Sequence, residues 1–419
     1  MRRAVLLSSA AVLALGGDPA AAAPRPISQV GFLVQQFDVA GGGALRSATV
    51  WSGFRPRDPA ESRGVYGRLA VGSKLRHAQR LDRRASDPKV AVGADGSAVA
   101  VWKRGAQLRY ASAPPGGRFG ATRTLVTSRG TLGIGGVAIS IGGRTVIAWS
   151  QGDQVRAAIR RSGRFGAPTT LGRTPGAPSV AGSTAGQIVV SWQTIPQPGL
   201  PAPYGLAGAP QVQAAVLAPG ATAFGALQTL SARPQGAEFP IAAGGRGGAA
   251  VTWTEAPGHV VRRVQAAGTF GSPAVIRPGV VGMLALAVPR SGNLVAAWSR
   301  ASSPDRPLPR PVVEAAVQAP DGTFPTVRRL SDPSYTAEEV AAGDLGDRAL
   351  LVWKEQRPGR RSRLRAALRS ATAWSNAATI SDARAVGAIR IGTGTRGAVI
   401  AWVERERTSP GRLHLIPLR

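Results

Sequence analysis

The chain has 419 residues, with 52 Lys+Arg against 22 Asp+Glu for a formal charge of +30, and no cysteine. Without thiols it has no disulfide staple, no cysteine nucleophile and no lipidated cysteine, so the fold must rest on packing alone. The charge excess should attract polyanions. All but Lys74, Lys89, Lys103 and Lys354 of the basic residues are arginine, a bias that GC-rich coding produces.

Arg2 and Arg3 open the chain and are followed by an unbroken small and apolar run, Ala4 to Leu15. Gly16, Gly17, Asp18, Pro19 and the alanines Ala20 to Ala23 come next. The run is well short of the roughly 20 residues a transmembrane helix needs, and small residues follow it. Residues 1–23 therefore read as a secretory signal, and 24–419 as a single secreted or cell-surface domain with no transmembrane segment. The paired arginines leave Sec and Tat export both open.

From Trp51 onward one pattern repeats. Trp51, Trp102, Trp149, Trp192, Trp253, Trp298, Trp353 and Trp402 each close a short run of small and β-branched residues, as in Ser97-Ala-Val-Ala-Val-Trp102. They recur roughly every 50 residues, a repeat-fold period. Both alternating faces of each run are apolar, so each strand should be covered on both sides. Ahead of each run lies another short strand and a turn, such as Asp95-Gly96, Gly142-Gly143, Gly247-Gly248 or Ser291-Gly292. A third strand carries a shared pattern of small residues, as in Val155-Arg-Ala-Ala158 and Leu364-Arg-Ala-Ala367. A fourth opens with an aromatic and reaches an aliphatic six residues later: Phe119 and Leu125, Phe165 and Leu171, Phe224 and Leu230, Phe270 and Ile276, Phe324 and Leu330, Trp374 and Ile380.

Four antiparallel strands per unit make a propeller blade. The sequence thus predicts an all-β, eight-bladed β-propeller, with seven blades the alternative if the weakly patterned first unit is not a full blade. The last unit stops at Leu413-His-Leu-Ile-Pro-Leu-Arg419, after its third strand. The N-terminal segment, Pro26 to Gly31, is expected to supply the missing strand and remove the free sheet edges.

Variation between units falls between the second and third strands, at 53–63, 193–210, 299–311 and 355–363, connections that emerge on one face of a propeller. That face is rich in arginine: Arg55, Arg57, Arg300, Arg306, Arg310, Arg357, Arg360, Arg361, Arg405 and Arg407 are the candidate binding residues. The expected partner is an anionic polymer, acidic glycan or envelope protein, met by a monomer with no cofactor. Nucleic acid is not expected, since no interleaved basic and aromatic motif occurs and the chain is exported.

Dedicated chemistry is hard to find. His77, His259 and His414 stand in three different units, so no histidine metal site is expected. Asp321-Gly-Thr323 and Asp344-Leu-Gly-Asp347 read as hairpin turns rather than calcium loops. The G-x-G-x-x-G run Gly392–Gly397 is followed by a strand where a dinucleotide fingerprint needs a helix. Carboxylates on the variable face, Glu255, Asp305, Glu355, Glu404 and Glu406, keep open an alternative enzymatic reading, glycoside hydrolysis or polysaccharide lysis.

With its units spelled out, the chain resembles secreted bacterial β-propellers with sialidase-like or Asp-box repeats. The likeness is coarse: Asp95 and Gly96 precede Trp102 by a whole strand where an Asp box holds these residue types together in one turn. A sialidase site would further imply an arginine triad with a Tyr and Glu pair, which cannot be assigned among Tyr66, Tyr110, Tyr204 and Tyr335. The chain also looks like eight-bladed quinoprotein propellers, whose repeats end in tryptophan, but their metal ligands are not recognisable.

Overall fold

The computed structural model describes residues 24–418 apart from positions 30, 44–45, 73, 141, 162, 195–209, 232–237, 256–257, 279–283, 301–309, 358–360, 384–385, 396 and 407–408. Its strands pair into eight antiparallel sheets, each of which is one sequence repeat. In blade 2, Ser86–Val92, Ala98–Arg104, Gln107–Ala113 and Arg123–Thr127 pair in chain order from first to fourth strand. The first unit is a full blade, Leu33–Gly41, Arg46–Phe54, Gly64–Val71 and Gln79–Arg83, so the count is eight. First strands touch one another in sequence order, and Val386–Gly394 of blade 8 returns to Leu33–Gly41, closing the ring.

The two-sided apolar strands form because the hydrophobic clusters sit between blades, not within them. Trp102 packs with Val90, Ala100 and Phe119 of its own blade and with Val50 and Val65 of blade 1. All eight repeat tryptophans are at most 1 % exposed. The blade aromatics differ slightly from expectation. Phe119 lies ahead of its fourth strand, in the turn that enters Arg123–Thr127, where it is 5 % exposed. A ring plugging the seam from a turn leaves the strand itself free to pair.

Closure is made by the N-terminus, as the repeat count required, but the pairing strand is Arg25–Pro26 rather than Pro26 to Gly31. Arg25–Pro26 pairs with Ser409–Leu418 as the fourth strand of blade 8, with Arg25 opposite Leu415 and Pro26 opposite His414. Ile27 continues the clasp through its N–H, 2.8 Å from the Leu413 carbonyl, and is 2 % exposed.

First strands begin where second strands end, since Leu33 faces Phe54 and Ser86 faces Lys103. The variable connections therefore share a face with the entrance formed by the first-strand starts. On the opposite, hairpin face neighbouring first strands meet backbone to backbone: a Cβ on Gly392 would sit 2.7 Å from the backbone of Ala40 and Gly41. The G-x-G-x-x-G run is thus a hairpin packed against blade 1. Asp321 caps its own turn, accepting the Thr323 N–H at 2.9 Å.

Asp344 locks this end. It is 2 % exposed, and its two oxygens accept the N–H groups of Arg246 in blade 5 (2.9 Å) and Val288 in blade 6 (3.0 Å). Burial pushes its carboxyl up to about 6, against the pull of those two bonds and the Arg246 charge. An unfolded aspartate titrates near about 3.9, so the folded protein holds this proton more tightly than the unfolded chain. Its contribution is fully present below about pH 4, is lost as pH rises to about 6, and amounts to about 3 kcal/mol. Urea melts between pH 4 and 7 should show this decline in the wild type relative to Asp344→Asn; parallel pH curves would show that Asp344 does not titrate there.

Candidate functional site

Around the entrance on the variable face the first strands carry bulges. Pairing slips between Ser86 and Lys89 in blade 2, between Glu338 and Val340 in blade 7, and between Gly387 and Ile389 in blade 8. At each slip a non-glycine residue is left-handed: Asp87 at φ 52°, Glu339 at 47° and Ala388 at 42°. Such residues cost of order 1 kcal/mol each and persist only where the surroundings over-determine them. Here neighbouring blades hold two of the three, those of blades 2 and 8. Gln36 Oε1 accepts the Asp87 N–H (2.9 Å), Asp38 Oδ2 that of Val90 (2.9 Å), and Glu339 Oε1 that of Ile389 (2.7 Å).

These strand starts frame a funnel of about 440 Å³, walled by blades 8, 1, 2 and 3. Its polar wall is Gln35, Gln36, Asp87, Lys89, Lys103 and Arg390. Lys103 Nζ lies 2.6 Å from Asp87 Oδ2 and donates to the Leu132 carbonyl at 3.1 Å, which ties blade 2 to blade 3. Burial works to raise Asp87, but hydrogen bonds from Lys103 and Gln36 and the charges of Lys103 and Lys89 hold it below the usual carboxylate range. Asp38 behaves oppositely: burial pushes it up, toward its neutral form, despite Lys89 and Arg390 nearby. The exposed Glu338 adds negative charge from blade 7. On blades 8, 1 and 2 the wall therefore has three cations against the one carboxylate, Asp87, that is held ionised.

Two of only four lysines line this funnel, and a third, Lys354, follows its repeat tryptophan as Lys103 follows Trp102. Lysine is scarce in this chain, and its occurrence at positions 89 and 103 is the sequence feature that marks this site.

Those arginines fall into three groups. Arg55, Arg57 and Arg361 are exposed, Arg55 also donating to Gln29. Arg300, Arg310 and Arg357 are engaged within the fold. Arg300 pairs with Glu314 at 3.0 Å, Arg310 donates to the Ser334 carbonyl, and Arg357 lies 4.3 Å above the Tyr335 ring. Arg306, Arg360 and Arg407 lie outside the described residues, as does the side chain of Arg405. The longer connections at 193–210, 299–311 and 355–363 are only partly described, whereas 53–63 contains the short helix Pro59–Ser62, which the sequence did not signal.

The candidate carboxylates have structural partners. Glu255, 3 % exposed, accepts the Trp253 indole N–H at 2.7 Å. Glu355, fully buried, accepts that of Trp353 at 2.8 Å and ion-pairs with Arg363 at 2.7 Å. Glu314 and Asp82 do the same for Trp298 (3.0 Å) and Trp102 (2.9 Å). Glu404 lies 3.6 Å from His414, whose ring stacks on Trp402 at 5.6 Å. Asp305 and the side chain of Glu406 lie outside the described residues. Strand alternation puts residues i and i+2 on one face, so Trp253-Thr-Glu255, Trp353-Lys-Glu355 and Trp149-Ser-Gln151 already encode an acceptor for a buried indole. Among the described residues no group of three His, Asp or Glu could hold a metal ion, and no helix is long and apolar enough to cross a membrane.

No family model matches the chain, and no curated protein matches it in sequence. Solved structures do share its form. The WD40 domain of SCAP from fission yeast aligns with 94 % of each chain at 7 % identity and a TM-score of 0.53. The polysaccharide lyase Uly1 aligns over 94 % of this chain and 90 % of its own at 11 % identity, TM-score 0.44. A lectin from Aleuria aurantia covers 84 % of this chain and 97 % of its own at 11 % identity, TM-score 0.40. At such identities the likeness shows a propeller fold and nothing finer.

Proposed function

We propose that this is an exported, non-catalytic binding propeller that recognises an anionic extracellular polymer, such as an acidic glycan, on its variable face. The observation that carries the reading is the cationic funnel, Lys89, Lys103 and Arg390, opening at the centre of that face in a chain of formal charge +30. The long-range field gathers the polyanion, and the funnel supplies short-range contacts to carboxylate or sulfate groups, with Gln35 and Gln36 able to meet hydroxyls. The exposed arginines Arg55, Arg57 and Arg361 extend the basic surface outward. Catalysis is disfavoured by the commitment of Glu255 and Glu355 to buried indoles.

Polygalacturonate is the test ligand and neutral dextran its control. Wild-type protein should bind the first and not the second, with log K falling as log salt rises. The double variant Lys89→Gln/Arg390→Gln should bind at least about tenfold more weakly, because two charge-assisted contacts are lost. Equal binding of both polymers, or unsaturated products released from polygalacturonate, would refute the reading.

A further inference from the structure

At the outer rim, on the hairpin side, six of the seams between blades receive an aromatic from the later blade, Phe119, Phe165, Phe224, Phe270, Phe324 or Trp374. In two seams a glutamine of the earlier blade clamps the turn that carries it. Gln79 Oε1 accepts the Phe119 N–H (3.0 Å) and its Nε2 donates to the Phe119 carbonyl (3.3 Å). Gln228 accepts the Phe270 N–H (3.2 Å) and donates to the Gly268 carbonyl (2.9 Å). Each glutamine stands two residues before its strand's aliphatic, Leu81 or Leu230; the same count back from Leu171 in blade 3 gives Thr169. Threonine is too short to reach the next blade's turn and has no amide with which to bridge it.

At that seam, between blades 3 and 4, lies a cleft of about 470 Å³, within the range of small-molecule sites. Phe224 is only partly buried in it and Leu227 is 48 % exposed. Other seams are filled differently: Tyr110 meets Phe165 edge-on at 4.9 Å, and Phe324 is only 9 % exposed. Arg161 reaches across the cleft to the Thr222 carbonyl, which uses one of the five donors a guanidinium carries.

We propose that this cleft binds a small amphiphilic anion, its apolar body against Phe224 and Leu227 and its acid group on Arg161. The site is separate from the funnel and does not depend on the polymer-binding reading. Two fluorescent probes test it on the full chain: anilinonaphthalene sulfonate and the neutral N-phenylnaphthylamine. Wild type should bind both saturably. Thr169→Gln, which introduces the clamp that Gln79 and Gln228 make in two other seams, should weaken both at least about tenfold with an unchanged or raised melting temperature. Arg161→Gln should weaken the sulfonate about tenfold and leave the neutral probe within about twofold. Should Thr169→Gln fail to fold, Leu227→Glu at its exposed position should likewise weaken the sulfonate. Wild-type affinity for both probes in the Thr169 and Leu227 variants would overturn the site, and equal loss of both in Arg161→Gln would overturn the anion.

Discussion

Glu355→Ala is expected to destabilise the protein by about 3–5 kcal/mol, the usual cost of breaking a buried ion pair from one side. The carboxylate is fully buried and serves three donors at once: the Trp353 indole (2.8 Å), the Asp332 N–H (3.1 Å) and Arg363 Nε (2.7 Å). Truncation leaves the buried indole and the Asp332 N–H without this acceptor, and leaves Arg363 with Asp332 Oδ2 at 3.1 Å as its carboxylate partner. Glu355→Gln should cost less, since an amide oxygen can still serve the indole while its NH₂ opposes Arg363. Glu338→Ala, at an exposed position of the same blade, should stay within about 0.5 kcal/mol. Chemical denaturation of the three variants provides the comparison, and binding of polygalacturonate per folded molecule should not change in the two Glu355 variants. A Glu355 variant of full stability but lost function would instead mark that carboxylate as part of a working site.

What the residues revealed beforehand follows from how local each signal is. A tryptophan ending an apolar run marks a strand covered on both sides, and its recurrence from Trp51 to Trp402 marks eight such strands, so the ring and its closing clasp were legible. The funnel was not. Its bulges at Asp87, Glu339 and Ala388 place ordinary residues in a left-handed conformation that glycine would have advertised and that these residue types do not. Asp38, Gln36 and Glu339 hold two of those bulges, those of blades 2 and 8, across blade seams, contacts between residues about 50 positions apart that a repeat pattern aligns but does not pair. Glu255 and Glu355 stand at strand ends on the variable face, where a carboxylate offers itself as a candidate acid, yet both are buried. Their spacing of two from a tryptophan was the local evidence that they point inward. Thr169 likewise means nothing by itself, and becomes informative only once Gln79 and Gln228 are known to be clamps.

Removing residues 24–31 should have the largest effect of any short deletion, because the ring is closed there by very little chain. Only Arg25 and Pro26 pair with the last strand, supplemented by the Ile27 N–H to Leu413 (2.8 Å) and by Ser28 Oγ, which accepts the Leu413 N–H at 3.0 Å. Ile27 shares a buried cluster with Trp51, Val403 and Leu415, bridging blades 8 and 1. Ile27→Ala alone should cost about 2–5 kcal/mol. The deletion removes that burial together with the edge protection, leaving Ser409–Leu418 with an unpaired row of N–H and C=O groups. The truncated chain should therefore melt well below wild type and elute as higher oligomers, since another molecule's exposed edge is the nearest substitute for the missing strand. A synthetic peptide of residues 24–31 should restore the monomer, because the clasp is held by pairing and burial rather than by chain connectivity. A truncated protein that stayed monomeric at the wild-type melting temperature would mean that the blade seams close the ring unaided.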